Sequence, residues 1–331
     1  MMYCRTLLAA ALTLATGSVF AQTATPAATV TDYPSKPVTI VTPFAAGSGP
    51  DAVLRLISNK LATLWNQRVV IDNKPGGGGF IAIEQAKRAA PDGYTLLQLD
   101  SEHLAALPHL YKQRNFVPLQ TFDAVASLFR TPFFVAVPAD SPWKSMGDLI
   151  AAAKEKPGAL SYGSWGVGSP GHLGAQQLEV LTGTTMQHVP YREVSQLFAN
   201  VGAGDVNWSF ASLPSSQGIY KAGKLRYLAV AALKRVPQMP NVPTFAESGG
   251  PAGFEVSSFV SLVAPKGLPA AVKLKINNDV AKVIADPEIH ARFDTFAFEP
   301  LAWSPEEINR NAEAKSKIYG ELVRRGNISL D

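Results

Sequence analysis

The sequence predicts an α/β protein of two lobes, each a mostly parallel sheet with helices on both faces. Three observations carry this. Apolar runs of strand length alternate with stretches of helical periodicity, the order that favours parallel pairing under covering helices. That alternation runs through residue 99 and starts again at residue 133. A late apolar run at 259–264 follows the second set, so the chain goes out and returns. Two units joined this way leave a cleft between them.

Taken in order, residues 38–41 (Val-Thr-Ile-Val) read as a short buried strand. Val53, Leu54, Ile57, Leu61 and Leu64 are spaced for one face of a helix over 51–65. Residues 68–71 form a second strand, 81–89 a second helix, and 94–99 a third strand after the Pro91-Asp92-Gly93 turn. The second set begins with a strand at 133–137 and a helix at 146–156 stopped by Pro157-Gly158. A strand at 160–163, a helix at 172–181 and strands at 186–190 and 225–231 continue it. Helices at 272–285 and 305–325 follow the return strand. No short repeat is present, which excludes a solenoid.

The chain has 331 residues, 47% of them hydrophobic, with 30 Lys+Arg against 26 Asp+Glu. Low hydrophobicity and high net charge are both missing, so a disordered chain is excluded. A net charge of +4 supplies little field for phosphates, so nucleic acid is not an expected partner. Residues 1–21 have the layout of a secretory signal peptide: a head with Arg5 and no acid, an uncharged run over 7–20, and Ala21 at a small-residue cleavage site. Cleavage there removes the single cysteine, Cys4. The exported chain is then held by its core without disulfides. Residues 22–31 form a Thr/Ala/Pro tail.

Three glycine-rich turns sit between a strand and a helix. The first holds Phe44, Ala45, Ala46, Gly47 and Ser48 ahead of Pro50 and Asp51, both suited to a first helical turn. Its backbone N–H groups and the helix end either hold a carboxylate without any cation or form an ordinary βα turn. The second holds Gly76, Gly77, Gly78 and Gly79 and lacks the ending of a phosphate-binding P-loop. Four successive glycines suit a backbone that must approach a ligand or another chain segment. The third runs from Gly163 to Gly171 and contains Ser164, Trp165, Gly166, Gly168 and Ser169. It matches G-x-G-x-x-G, with Glu193 further on, but export argues against a dinucleotide, and an anion held by serines and N–H groups is the alternative.

Catalytic patterns are thin. The histidines at 103, 109, 172, 188 and 290 lack metal-ligand spacing, and Ser169 is preceded by Val167 where a nucleophile elbow needs glycine. His172, near a helix start, reads as a packing or capping residue. Binding is favoured over catalysis, with neither cofactor nor metal expected.

These loops belong to a wider set of motifs. Pro43-Phe44, Gly47 and Asp51 are followed by Asn73-Lys74-Pro75-Gly76, Pro91-Asp92-Gly93-Tyr94, Tyr162-Gly163-Ser164, Val189-Pro190-Tyr191 and Val242-Pro243-Thr244-Phe245. In this order they resemble the Bug family, the TctC-like solute-binding receptors of tripartite tricarboxylate transporters. The resemblance spans about residues 33 to 325. It implies a type II "Venus flytrap" in the periplasm, acting as a monomer, with 33–137 plus 257–331 as one lobe and 138–256 as the other. Such a receptor captures a small organic acid and delivers it to membrane permease subunits. A sensor binding the same ligand, or an exported hydrolase using Ser164 or Ser169, are the competing readings.

The resemblance further implies that Phe44 to Ser48 and Gly76 to Gly79 hold a carboxylate, often through ordered waters, joined by Ser101. Ser164, Trp165, Gly168, Ser169, Tyr191, Arg192, Glu193 and Ala211 would cover the ligand from the second lobe. Hinge strands are expected near 137–140 and 256–258. The sequence departs from the family at Glu193, where glycine is usual, at Ala211, where aspartate is common, and at Ser48. Losing the acid at Ala211 argues against a ligand amino group there. Glu193 either restores an acceptor or points to solvent. Trp165 and Phe44 are either apolar walls or core, and the expected ligand is an aromatic or dicarboxylic acid.

Overall fold

The first βαβαβ run forms where the apolar pattern places it. In the computed structural model, which describes residues 32–331, β1 (Val38–Thr42) leads into α1 (Gly49–Trp65), then β2 (Val69–Asn73), α2 (Phe80–Lys87) and β3 (Thr95–Asp100). The expected signal peptide lies outside the described residues. Helix α1 buries Val53, Leu54, Ile57 and Leu61, each contributing about 1.5–3 kcal/mol by leaving water. It stops at Asn66, whose left-handed backbone (φ 49°) lets its N–H reach back to Ala62 and Thr63.

Three short helices, α3 (Ser101–Ala105), α4 (Leu107–Leu110) and α5 (Pro118–Thr121), precede the long strand β4 (Phe122–Pro132). The second set follows: β5 (Phe134–Pro138), α6 (Met146–Glu155), β6 (Ser161–Ser164), α7 (Pro170–Thr182), β7 (Gln187–Pro190), α8 (Val194–Ala203), β8 (Trp208–Ala211), α9 (Leu213–Lys221) and β9 (Leu225–Val230). The chain returns through β10 (Ser257–Pro265), α10 (Ala270–Ile284), α11 (Pro287–Phe296), β11 (Glu299–Pro300) and α12 (Pro305–Arg325). Helices α6 and α12 open with capping boxes, Ser145 with Asp148 and Ser304 with Glu307. Among the described residues no helix is long and apolar enough to cross a membrane.

Two sheets result, with strand orders β11-β4-β10-β3-β1-β2 and β7-β6-β8-β5-β9. The α/β, two-lobed class is as expected, but both sheets are mixed rather than mostly parallel. Strands β1, β2 and β3 run parallel, as do β6, β7 and β8, whereas β4, β5 and β10 pair antiparallel. The reason is that these three carry the chain between the sheets, and each lies against the direction of its neighbours. Strand β5 shows burial on both faces: Val135 and Val137 enter one core cluster with Trp208 and Phe210, while Phe134 and Ala136 enter the other with Leu197 and Phe198.

The sheets meet where three backbones cross. Phe133 N–H donates to Val256, Val256 N–H to Ala231, and Ala231 N–H to Phe133. Strand β5 belongs to the second sheet, so the chain leaves the first sheet at Phe133, ahead of residues 137–140, and comes back to it after Val256. The C-terminal segment adds a further tie. Leu110, Tyr319, Leu322 and Val323 pack with Leu173 of α7 in one cluster, and Leu330 N–H donates to the Leu110 carbonyl.

Candidate functional site

The carboxyl ends of β1, β3 and β8, with the helices that follow, open onto one cavity of about 560 Å³, in the range of small-molecule sites. Helix N-termini converge on it. Ser48, Gly49 and Pro50 come from α1, Pro170 from α7, Val194 and Ser195 from α8, and Ser212, Pro214 and Ser215 from α9. The starts of α1 and α9 are in close approach, since a Cβ on Gly49 would lie 3.3 Å from Pro214 Cγ. The first N–H groups of a helix have no partner within it and carry partial positive charge. Ser48 occupies the N-cap position without capping, and its buried Oγ has no hydrogen-bond partner among the described residues. Such an orphan polar atom beside a cavity suits a ligand.

Aromatic rings form the walls: Phe44, Phe133, Trp165, Phe296 and Phe298. Trp165 leans on Phe133 with centroids 5.4 Å apart, and Phe298 stacks on Phe129 at 4.5 Å. The floor is the β4-β10-β3 part of the first sheet, giving Thr131, Ser258, Val260 and Asp100. Register explains their shared face, because Ser258 opposes Thr131 and Val260 opposes Asp100.

The first loop is held by a charged clamp. Asp51, almost fully buried, accepts from Gly47 N (2.8 Å), Arg55 Nε (2.9 Å) and Nη2 (3.0 Å), and Asn73 Nδ2 (2.8 Å). Burial pushes its carboxyl up, and the bonds from Arg55, Asn73 and Gly47 overcome that and hold it below the usual range. Asn73 also donates to the Phe44 carbonyl at 2.9 Å, so the second turn props up the first.

Asp100 caps α3, accepting from Glu102 N and His103 N, and its Oδ1 lies 2.5 Å from His103 Nδ1. Burial pushes the Asp100 carboxyl up, but the His103 ring and these N–H groups outweigh it and hold it down. His103 is raised: burial lowers it, and Asp100 more than reverses that. Glu102 behind the floor is raised by burial and by Asp100, and it accepts from Ser258 Oγ (2.5 Å) and Tyr319 Oη (2.7 Å).

Of the residues singled out in the sequence, Phe44, Gly47, Ser48 and Trp165 line this cavity. Ala45 and Ala46 are exposed on the same loop. Gly76 to Gly79 all have positive φ but lie outside the cavity lining; Gly77 borders a separate surface groove. Their glycines serve close approach to other segments, since a Cβ on Gly79 would lie 2.4 Å from the His103 ring and one on Gly78 2.8 Å from Tyr111 Oη. Ser101 is buried beneath the floor, donating to Glu102. Ser164 is buried too, with its Oγ 2.6 Å from His188 Nε2 and bonded to Gly166. Ser169 caps α7 through His172 N. Tyr191 Oη accepts from Asn200, Arg192 and Glu193 are exposed, and Ala211 is in the core. None of these second-lobe residues except Trp165 lines the cavity. Asp100, Thr131, Ser212, Ser215, Phe296 and Phe298 went unread, although Ser212-Leu213-Pro214 carries a helix-start signature. Among the described residues no group of three or more His, Cys, Asp or Glu could hold a metal.

Gly168 joins the two sides. Its φ is +81°, and a Cβ would lie 2.3 Å from Leu110 Cδ1. Gly168→Ala is expected to cost about 2 kcal/mol in urea unfolding. Gly166→Ala, with φ +122° and no atom within 4 Å, carries backbone strain alone. Equal losses in the two variants would mean the Leu110 contact contributes nothing.

Two sheets joined by crossing strands, with an aromatic-walled cavity between them, define a two-lobed binding protein. The chain belongs to the tripartite tricarboxylate transporter family receptors, whose profile residues 53–328 match. This is a family of solute-binding receptors, as the motif resemblance implied. A UPF0065 protein from the tcbD-tcbE intergenic region of Pseudomonas sp. (strain P51) is 33% identical over 291 residues, 88% of this chain and 86% of that one. Rpa4515 of R. palustris, solved with adipate, is 31% identical with a TM-score of 0.81, covering 90% of this chain and 100% of its own. The periplasmic binding protein BugD is 29% identical with a TM-score of 0.76, covering 89% of this chain and 99% of that chain.

Proposed function

We propose that this protein is an exported periplasmic receptor that captures a small organic acid in the cleft and delivers it, chemically unchanged, to the membrane permease of a tripartite transporter. One observation carries the reading: four helix N-termini and the orphan Ser48 Oγ face a cavity that no lysine or arginine among the described residues lines. A carboxylate satisfies those donors, and waters complete the shell. The adipate held by Rpa4515 supports an organic acid as the class of ligand. The lobes divide at Phe133 and Val256, where the strands cross, and closure bends the chain there.

The test is a thermal-shift screen over mono- and dicarboxylic acids, with mass spectrometry of the bound compound before and after incubation. At least one acid is expected to raise Tm in a concentration-dependent way and to be recovered intact. A broad panel that leaves Tm unmoved, or conversion of the bound acid, would defeat the reading.

A further inference from the structure

Asp100 is the one titratable side chain among the described residues lining the cavity. Its two oxygens have different lives. The backbone N–H groups of Glu102 and His103, and the His103 ring, are all taken by Oδ1. No hydrogen bond among the described residues reaches Oδ2, and it is not one of the buried atoms left without a partner. It therefore opens toward the cavity as an acceptor.

The cavity is thus polar at two places of opposite character. Donors gather where α1 meets α9: the Ser48 hydroxyl and the first backbone N–H groups of the two helices, while the Ser212 and Ser215 hydroxyl protons go to Ser215 Oγ and the Ser212 carbonyl. The acceptor Asp100 sits on the sheet floor with Thr131 and Ser258, and the Ser258 hydroxyl proton is already committed to Glu102. Aromatic rings line the space between. His103 behind Asp100 fixes the carboxylate's orientation, and its ring meets Phe44 edge-on at 5.9 Å. A ligand with a second carboxylate would bring acceptor against acceptor at Asp100, leaving both unpaired in a part-buried site.

We infer that Asp100 is the specificity-determining residue of the cleft, and that the ligand is an aromatic monocarboxylate bearing a hydroxyl or amino donor remote from its carboxylate. The inference rests on the carboxylate-receptor reading. A buried acceptor discriminates strongly against an analogue that lacks the matching donor. It also disfavours dicarboxylic acids as ligands of this chain, leaving the aromatic alternative of the two expected from the sequence.

Isothermal titration of the purified protein with benzoate, 4-hydroxybenzoate, 4-(aminomethyl)benzoate and terephthalate tests this. At least one donor-bearing acid is expected to bind tenfold or more tightly than benzoate, and terephthalate more weakly than benzoate. The hydroxyl and ammonium arms identify which donor is preferred. Asp100→Asn must keep Oδ1 as the cap of α3, which turns its NH2 toward the cavity. The order should then invert, with terephthalate gaining and 4-(aminomethyl)benzoate losing. Wild-type affinities within threefold of one another would overturn the role of Asp100 while leaving a carboxylate receptor in place. An order unchanged in Asp100→Asn would do the same. Binding of none of these acids nor of aliphatic acids by the wild type overturns both readings. If the variant does not fold, the wild-type comparison decides alone.

Discussion

Replacing Asp51 by alanine is expected to lower stability by about 3 kcal/mol and to weaken acid binding tenfold or more. The side chain is 1% exposed and accepts from Gly47, Arg55 and Asn73. Its loss leaves the Gly47 N–H and one of the two Asn73 amide protons without an acceptor. Asn73 also fixes the Phe44 carbonyl and accepts from Arg55 at 2.7 Å, so the whole 44–48 turn loosens along with Ser48. Asp51→Asn should fall between, since it can still accept from Gly47 but sets an amide against Arg55. The pH dependence gives a second reading. The carboxyl is held below its ordinary value, so its stabilisation is fully present above the unfolded pKa. It fades as pH falls through the folded value. Urea unfolding should therefore show the full deficit of Asp51→Ala at pH 7 and a shrinking one as pH falls below the ordinary carboxyl value of 3.8. A deficit under about 1 kcal/mol at pH 7 would remove the clamp as an explanation of the loop.

Where the fold was legible, one physical rule sufficed, and where it was not, distant residues decided. The run from β1 to β3 and the helices α1, α6, α7, α10 and α12 follow from local apolar period and end signals. Strand β4 escaped because Ala124, Ala126 and Ser127 dilute its apolar pattern and two register shifts break its pairing with β10. Strand direction escaped because it depends on the crossing at Phe133 and Val256, which no local window contains. The site divides in the same way. Phe44, Gly47, Ser48 and Trp165 lie in turns that announce themselves by glycine between strand and helix. Phe296 and Phe298 reach the cavity only through the return of the chain, as β11 pairs with β4. Gly76 to Gly79 mark a tight backbone in either case, and sequence alone left open whether a ligand or another chain segment required it; Gly78 and Gly79 lie against Tyr111 and His103.

Acid is expected to loosen the second-lobe loop through a stacked pair of histidines. His172 and His188 lie face to face with centroids 4.1 Å apart, and His188 stacks in turn on Tyr162. His172 Nδ1 accepts from Gly168 N–H at 3.1 Å, which requires the neutral ring. Burial pushes His172 down to about 3, with His188 adding to the effect, and burial pushes His188 down to about 4. Both rings are therefore neutral in the fold, while in the unfolded chain they protonate near 6.5. The unfolded state binds more protons below that value, so stability falls as pH drops from about 6.5 to about 4, by on the order of 5 kcal/mol for the pair. Glu102 and Glu179, raised by burial, oppose this, because their protonation favours the fold. The wild-type slope is the net of the two, and His188→Gln separates them while still offering Ser164 a hydrogen-bond partner. Its unfolding free energy should depend on pH less steeply by up to one proton, about 1.4 kcal/mol per pH unit, between pH 6.5 and 4. In the folded protein His172 stays neutral through this window, so the Gly168 bond and the turn carrying Trp165 should hold above about pH 4 and give way only as the His172 ring protonates at about pH 3. Parallel pH slopes for wild type and His188→Gln would show that the stacked pair is not the acid-sensitive element.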